Sequence, residues 1–334
     1  MGKLPLHFLQ GLLQKYAPVA GKNHQVKVGA GIGREVAVIE LGDRLLIAKT
    51  APMTFTAEDI GYYALQSNAN EVACMGGEPK WFLATLLLPE KTTTPKLVEA
   101  IFHQLGDACK KINVTLCGGH TEITASLERP LVAGCLLGDA PASRLFSPER
   151  IAPGDAIILT KGLAIEATSI IGRERAQTLT ETFDAEFAEN CRGYLRDPGI
   201  SVLTEARLAW PEDGIHALHD PTAGGLANAL HEMLASRDLG VEIDRGRIPL
   251  FPESKLLCEH FHLDILGLIA SGALLLVGEE SACVKLLPQF QRAKLAANII
   301  GHVLPASAGR WLMDGKQRCE LPLFKRDEIL KVLA

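Results

Sequence analysis

The sequence predicts a two-domain α/β protein. Three observations carry this expectation. The chain has 334 residues, enough to build two packed cores. Helix-like and strand-like periodicities alternate in both halves, which is the pattern of an α/β or interleaved α+β fold. Residues 139–154 are rich in Pro, Ala and Ser and include Pro141, Pro148 and Pro153, so they separate the halves. The expected domains are residues 1–145 and 150–334.

Taken in order, residues 36–48 read as two strands joined by a Gly-Asp turn. Residues 58–75 have apolar or small side chains at helical spacing (Ile60, Tyr63, Ala64, Ser67, Val72), and Gly76-Gly77 ends that helix. Residues 81–88 form a nearly continuous apolar strand stopped by Pro89. Residues 95–112 form an amphipathic helix with Leu97, Ala100, Ile101, Leu105 and Ala108 on one stripe. Residues 114–117 read as a short strand broken by Gly118-Gly119, and residues 131–138 as another strand. In the second half, residues 156–160 are a strand. Residues 185–210 are helical with an interruption at Asp197-Pro198-Gly199, and residues 222–235 begin a helix after a glycine turn. Residues 274–277 and 297–303 supply further strands.

Composition narrows the function classes. The apolar fraction is 47% and the charged fraction 22%, as in ordinary globular chains. A net charge of -5 with no basic tract argues against nucleic-acid binding, because no excess of cations is available to neutralise phosphates. No apolar run is long enough to span a bilayer, and the N-terminus lacks the pattern of a secretory signal. The eight cysteines include no C-x-x-C pair and therefore read as reduced thiols in a cytoplasmic protein, with no structural zinc.

Four glycine-containing segments are candidates for holding anions: Gly29-Ala-Gly31-Ile-Gly33, Gly76-Gly77, Gly118-Gly119-His120-Thr121-Glu122 and Asp220-Pro-Thr222-Ala-Gly224-Gly225. Bare backbone amides in such turns can approach phosphate oxygens closely. The first lacks the context of a dinucleotide fingerprint, since a strand rather than a helix follows it. At the last, the helix opened by Gly224-Gly225 offers free amides and a favourable dipole; Asp220 or Thr222 acting as a simple helix cap is an equal reading. In the third, Glu122 could bind magnesium while His120 and Thr121 position a phosphate; a polar solvated turn is the plain alternative. Asn68, Asn70 and Glu71 offer a further group of oxygen ligands on a helix. There is no P-loop and no Ser-His-Asp arrangement.

The order of these segments resembles the superfamily of aminoimidazole ribonucleotide (AIR) synthase, thiamine-phosphate kinase, selenophosphate synthetase and the hydrogenase-maturation factor HypE. Asn70-Glu-Val-Ala-Cys-Met-Gly-Gly-Glu-Pro79 resembles its Asn-Asp-x-Ala-x-x-Gly-Ala-x-Pro. Gly118-Gly-His-Thr-Glu122 resembles its Gly-Gly-Asp/Glu/His-Thr. Pro153 to Gly162, His216 to Leu226 and Ile269 to Leu276 resemble segments of its C-terminal domain. Thr50-Ala-Pro-Met-Thr-Phe55 is similar to the Thr-Asp-Pro-Ile-Thr-Phe of the HypE-like, AIR synthase-related branch. The resemblance implies a PurM-like two-domain fold, with an N-terminal domain forming a dimeric β-barrel-like core and a C-terminal α/β domain. It also implies a homodimer that uses Mg-ATP to activate an oxygen of a small-molecule or protein acceptor. Carried over by motif, Gly31, Gly33, Lys49, Thr50, Asn70, Gly118, Gly119, Thr121, Asp220, Thr222, Gly224 and Gly225 would contact ATP. Glu35 and Glu71 would hold magnesium, and His120 and Glu122 would be catalytic.

The chain departs from the pattern at three acids. Arg34 and Glu35 stand where the family has Asp-Asp, Ala51 replaces the Asp of Thr-Asp-Pro, and Glu71 replaces the Asp of Asn-Asp. The C-terminal Cys of HypE is absent, since the chain ends in Ala334. Phosphoryl transfer depends on charge neutralisation by metal and donors, so lost acids bear directly on activity. Two readings follow: an ATP-dependent enzyme of the AIR synthase and HypE type, possessing one magnesium site, or a non-catalytic HypE-like paralogue serving as a binding or scaffold dimer.

Overall fold

A computed structural model describes residues 6–17, 24–31, 35–54 and 58–333. The chain forms two compact units, Met1–Leu145 and Phe146–Ala334.

The first unit contains α1 (Leu6–Tyr16), β1 (Val26–Val28), β2 (Val36–Leu41), β3 (Arg44–Met53), α2 (Ile60–Cys74), β4 (Glu78–Pro89), α3 (Pro95–Lys111), β5 (Thr115–Thr124) and β6 (Leu131–Pro141). Its strands make one sheet in the order β1-β2-β3-β6-β4-β5, antiparallel except for β4 beside β5. The β2–β3 hairpin turns at Gly42-Asp43, and Gly42 has φ 67°, a conformation glycine adopts without strain. Period-two burial separates the two sheet faces. On β6, Val132, Leu136 and Ala140 are buried, whereas Leu131, Ala133, Cys135 and Leu137 are half-buried. Helix α2 is buried on nearly every face, which explains its mix of small and apolar residues. Helix α3 buries only Ile101, Leu105, Ala108 and Cys109; Thr94 caps it by accepting from Leu97 N at 3.2 Å, with Pro95 in the first turn.

The Gly118-Gly119 pair does not break a strand. β5 runs through it as a ten-residue edge strand, parallel to β4, with a register shift at Cys117. Gly119 has φ 147°, and a Cβ there would lie 1.9 Å from the Ala84 carbonyl oxygen. The glycine lets β5 press against β4 rather than ending it.

The second unit contains β7 (Ala156–Thr160), α4 (Ile165–Glu174), α5 (Ala176–Thr182), α6 (Ala185–Gly193), α7 (Leu203–Ala209), β8 (Ile215–His219), α8 (Gly225–Ala235), β9 (Gly240–Asp244) and α9 (Pro252–Phe261). These are followed by β10 (Leu275–Gly278), α10 (Glu280–Arg292), β11 (Ala297–Leu304), β12 (Arg310–Asp314), β13 (Gln317–Glu320) and α11 (Leu330–Leu333). The sheet order is β13-β12-β9-β11-β7-β10-β8. Only β12 and β9 pair in parallel, so this unit is α+β in construction. β7 and β10 are buried along their whole length, consistent with their unbroken apolar sequences. The interruption expected at 197–199 separates α6 from α7, with Asp197 in extended conformation. The segment leading to Gly224 begins as strand β8. Among the described residues, no helix is long and apolar enough to cross a membrane.

Candidate functional site

In the first unit, the candidate residues start at the end of β3. Lys49 is 3% exposed, and its Nζ donates to Glu35 Oε2 at 2.6 Å. Glu35 keeps 46% exposure, so the pair joins a buried ammonium to solvent. Thr50 is exposed on the opposite side of the strand and donates from Oγ1 to Gly134 O at 2.9 Å. Ala51 stands opposite Gly134 in the ladder, with no side-chain oxygen to offer. A Cβ at Gly134 would meet Asn68 Nδ2 at 2.7 Å, so α2 and β6 are in close contact there. Asn68 is fully buried; its Nδ2 donates to Ala64 O at 2.7 Å, while its Oδ1 has no hydrogen-bond partner among the described residues. A buried acceptor without a partner is costly and marks a position suited to a donor. Asn70, also fully buried, accepts from Gln66 Nε2 at 3.1 Å. Glu71 is half-buried on the same helix. Gly31 lies in an isolated bridge and is half-buried; Gly33 and Arg34 lie outside the described residues.

On β5, Gly118, Gly119, His120, Thr121 and Glu122 are all exposed. His120 and Glu122 lie two residues apart and share a face, with His120 Nε2 3.4 Å from Glu122 Oε2. At 66% and 55% side-chain exposure this pair contributes little to stability. Both groups are presented to whatever approaches that strand.

In the second unit, the amides at the start of α8 are already engaged. Asp220 is fully buried and accepts from Gly272 N at 3.3 Å. Gly225 N donates to the Thr222 carbonyl at 2.9 Å. Gly224, at φ 82°, donates to Asp327 Oδ2 at 2.7 Å. The N-cap position is Gly224, which has no side chain to cap with, and an acid far along the chain takes its amide. Asp327 Oδ1 accepts from Ile329 N at 2.9 Å and Ile269 N at 3.3 Å. Burial raises the Asp327 carboxyl above its ordinary range, and the three amide bonds pull it back. Glu166, 3% exposed on α4, is pushed up to about 7 by burial, against bonds from Ser271. Sequence reasoning singled out neither acid.

Among the described residues, no three of His, Cys, Asp and Glu gather closely enough to hold a metal ion. The acids available in the first unit, Glu35 and Glu71, fit a magnesium ion that arrives with phosphate oxygens and keeps its waters, not an all-protein cage. Burial pushes Cys109 up to about 11 and Cys191, Cys258 and Cys283 up to about 12, so these thiols stay neutral and are poor nucleophiles.

Two family models match the chain: the N-terminal domain of AIR synthase related protein at residues 33–140 and its C-terminal domain at residues 152–311. The chain belongs to the AIR synthase related family. It is 28% identical over 284 residues to carbamoyl dehydratase HypE of Rhodobacter capsulatus, covering 83% of this chain and 80% of that one. It is 24% identical to carbamoyl dehydratase HypE of Escherichia coli K12, covering 84% and 83%. Among solved structures, hydrogenase maturation protein HypE in complex with ATP superposes with a TM-score of 0.70 at 19% identity, covering 98% and 97%. HypE of a HypE–HypF complex superposes with a TM-score of 0.74 at 19% identity, covering 94% and 99%. The fold is therefore the PurM-like two-domain fold of this HypE-like branch.

Proposed function

We propose that the chain is an ATP-dependent enzyme of the AIR synthase and HypE type. It would activate an oxygen of an acceptor with Mg-ATP, in the cytoplasm, in the maturation of hydrogenase or another metallocofactor. Family membership in both units supports the class, and the ATP held by a solved HypE supports the nucleotide. The observation that carries the reading is the buried Lys49 ammonium, joined at 2.6 Å to a half-exposed Glu35; on α2 of the same unit, Asn68 Oδ1 has no hydrogen-bond partner among the described residues. A fixed cation and an open acceptor are suited to a polyanionic ligand with donor groups.

In this reading residues 1–145 form the nucleotide-binding domain. Gly31, Gly33, Lys49, Thr50, Asn70, Gly118, Gly119 and Thr121 contact ATP, Glu35 and Glu71 hold magnesium, and His120 and Glu122 act on the acceptor. Residues 150–334 form the second domain, in which Asp220, Thr222, Gly224 and Gly225 are the phosphate-binding candidates, with the Gly224 amide held by Asp327 in this structure. Bound magnesium would neutralise phosphate charge and orient the transferred group. The acceptor is a small molecule or a protein; the HypE–HypF complex supports a protein partner. The half-covered face of the first sheet, with Leu83, Leu87, Ala133, Cys135 and Leu137, supports a homodimer built on these sheets.

Isothermal titration with Mg-ATP tests the assignment. The wild-type chain should bind saturably, and Lys49→Met should weaken binding by at least ~10-fold, about 1.4 kcal/mol. Flat heats at millimolar ATP would remove the nucleotide reading, and equal affinity in the two proteins would remove Lys49 from the site.

A further inference from the structure

Residues 321–333 close the second unit as a strap. Phe324 and Asn228 grip each other twice: Phe324 N donates to Asn228 Oδ1 and Asn228 Nδ2 to Phe324 O, both at 2.9 Å. Glu328 Oε2 accepts from Asp264 N at 3.0 Å and from Lys331 Nζ at 2.5 Å. Arg175 Nε donates to Val332 O at 2.9 Å. At the centre, Asp327 takes the amides of Gly224, Ile269 and Ile329, so a single carboxylate ties the strap to the start of α8 and to loop 269–272.

Glu166 lies at the start of α4, which packs on the same loop: a Cβ at Gly272 would meet Ile165 Cδ1 at 3.2 Å. Ser271 donates to it from side chain and backbone, yet Glu166 Oε2 is buried without a hydrogen-bond partner among the described residues. Asp327 is the charge that acts on it. The charged groups of the surrounding elements have partners of their own. On α4, Arg173 donates to Ser169 and to Arg192 O; after it, Arg175 binds Val332 O. On α9, Glu253 accepts from Tyr194 at 2.5 Å; on α11, Lys331 pairs with Glu328; Asp220 holds Gly272 N. Two buried carboxylates tied to one loop, Glu166 through Ser271 and Asp327 through Ile269 N, do not both ionise readily. Three amides favour the charged form of Asp327, and Glu166 Oε2 has no donor, so Glu166 is the member that keeps a proton.

We propose that Glu166 and Asp327 form a proton-operated latch on the C-terminal strap. With the proton on Glu166, the strap stays anchored to loop 269–272 and to the start of α8. Loss of the proton puts a second buried charge on the loop that Asp327 holds and loosens the strap, freeing the Gly224 amide. Burial sets Glu166 at about 7, so the change falls near neutral pH. Any consequence for nucleotide binding rests on the reading of loop 220–225 given above.

Hydrogen exchange of residues 321–333, corrected for the intrinsic pH dependence of exchange, tests the latch at about pH 6 and about pH 8.5. Protection in the wild-type chain should fall by at least ~10-fold at the higher pH, and by less than ~2-fold in Glu166→Gln. An equal fall in both proteins, or none in the wild type, overturns the proposal. Should Glu166→Gln fail to fold, Asp327→Asn takes its place: its strap should be loose at both pH values, and a retained pH dependence overturns the latch. Titrating Mg-ATP at both pH values separates the two readings. An unchanged affinity while the strap opens removes loop 220–225 from the nucleotide site and leaves the latch standing.

Discussion

At the scale of single residues, burial decides which acids can act. Glu35 and Glu122 are exposed to solvent, whereas burial lets Glu166 keep its proton to about pH 7. The sign of the consequence follows from proton counts. The folded chain holds the Glu166 proton more tightly than the unfolded chain, so stability falls as pH rises from the unfolded value near 4.5 to about 7 and stays lowered above it. The shift corresponds to about 3 kcal/mol. Glu166→Gln removes it: the variant should match wild type in thermal stability at acidic pH and exceed it at pH 8. Calorimetric scans across that range check this, and parallel profiles for the two proteins would contradict it. Asn68 is the counterpart in the first unit. Its open Oδ1 is a cost the isolated chain bears, and a ligand donor would relieve it.

At the scale of elements, β5 carries the exposed Gly118–Glu122 segment and depends on one glycine. Gly119→Ala would drive a Cβ into the Ala84 carbonyl, and should cost about 1–3 kcal/mol by separating β5 from β4. Denaturant unfolding of the first unit measures this; an unchanged midpoint would mean that β5 relaxes without strain. The same strand shows where sequence reading stops. Apolar runs and turn residues located the β2–β3 hairpin, α2, β4, α3, β7 and α8 to within a few residues. A glycine pair most often marks a turn, so β5 was expected to end at Gly118. What keeps it a strand is pairing with β4, across a helix of 17 residues, and no local pattern records that. β8 is likewise not picked out by the local pattern, because Ile215–His219 is short and its burial comes from β10. The start of α8 was legible as a row of amides needing an acceptor, but the acceptor lies 103 residues further on. Asp327 sits in Lys325-Arg326-Asp327-Glu328, which reads locally as a solvated charged stretch.

At the scale of the whole molecule, the proposed function is that of a nucleotide-using dimer. Light scattering should give twice the 36.0 kDa chain mass, and Leu83→Glu, which places a charge on that face, should give monomers. A wild-type monomer would remove the sheet-to-sheet dimer. The chain-level claim is that the first unit binds Mg-ATP through Lys49 despite Ala51. A crystal structure of the full chain grown with magnesium and a non-hydrolysable ATP analogue tests this most directly. The account expects triphosphate oxygens within hydrogen-bond reach of Lys49 Nζ, with Glu35 turned from Lys49 toward the metal. A structure without nucleotide at millimolar analogue, or with Lys49 still closed on Glu35 and the nucleotide bound elsewhere, would contradict it.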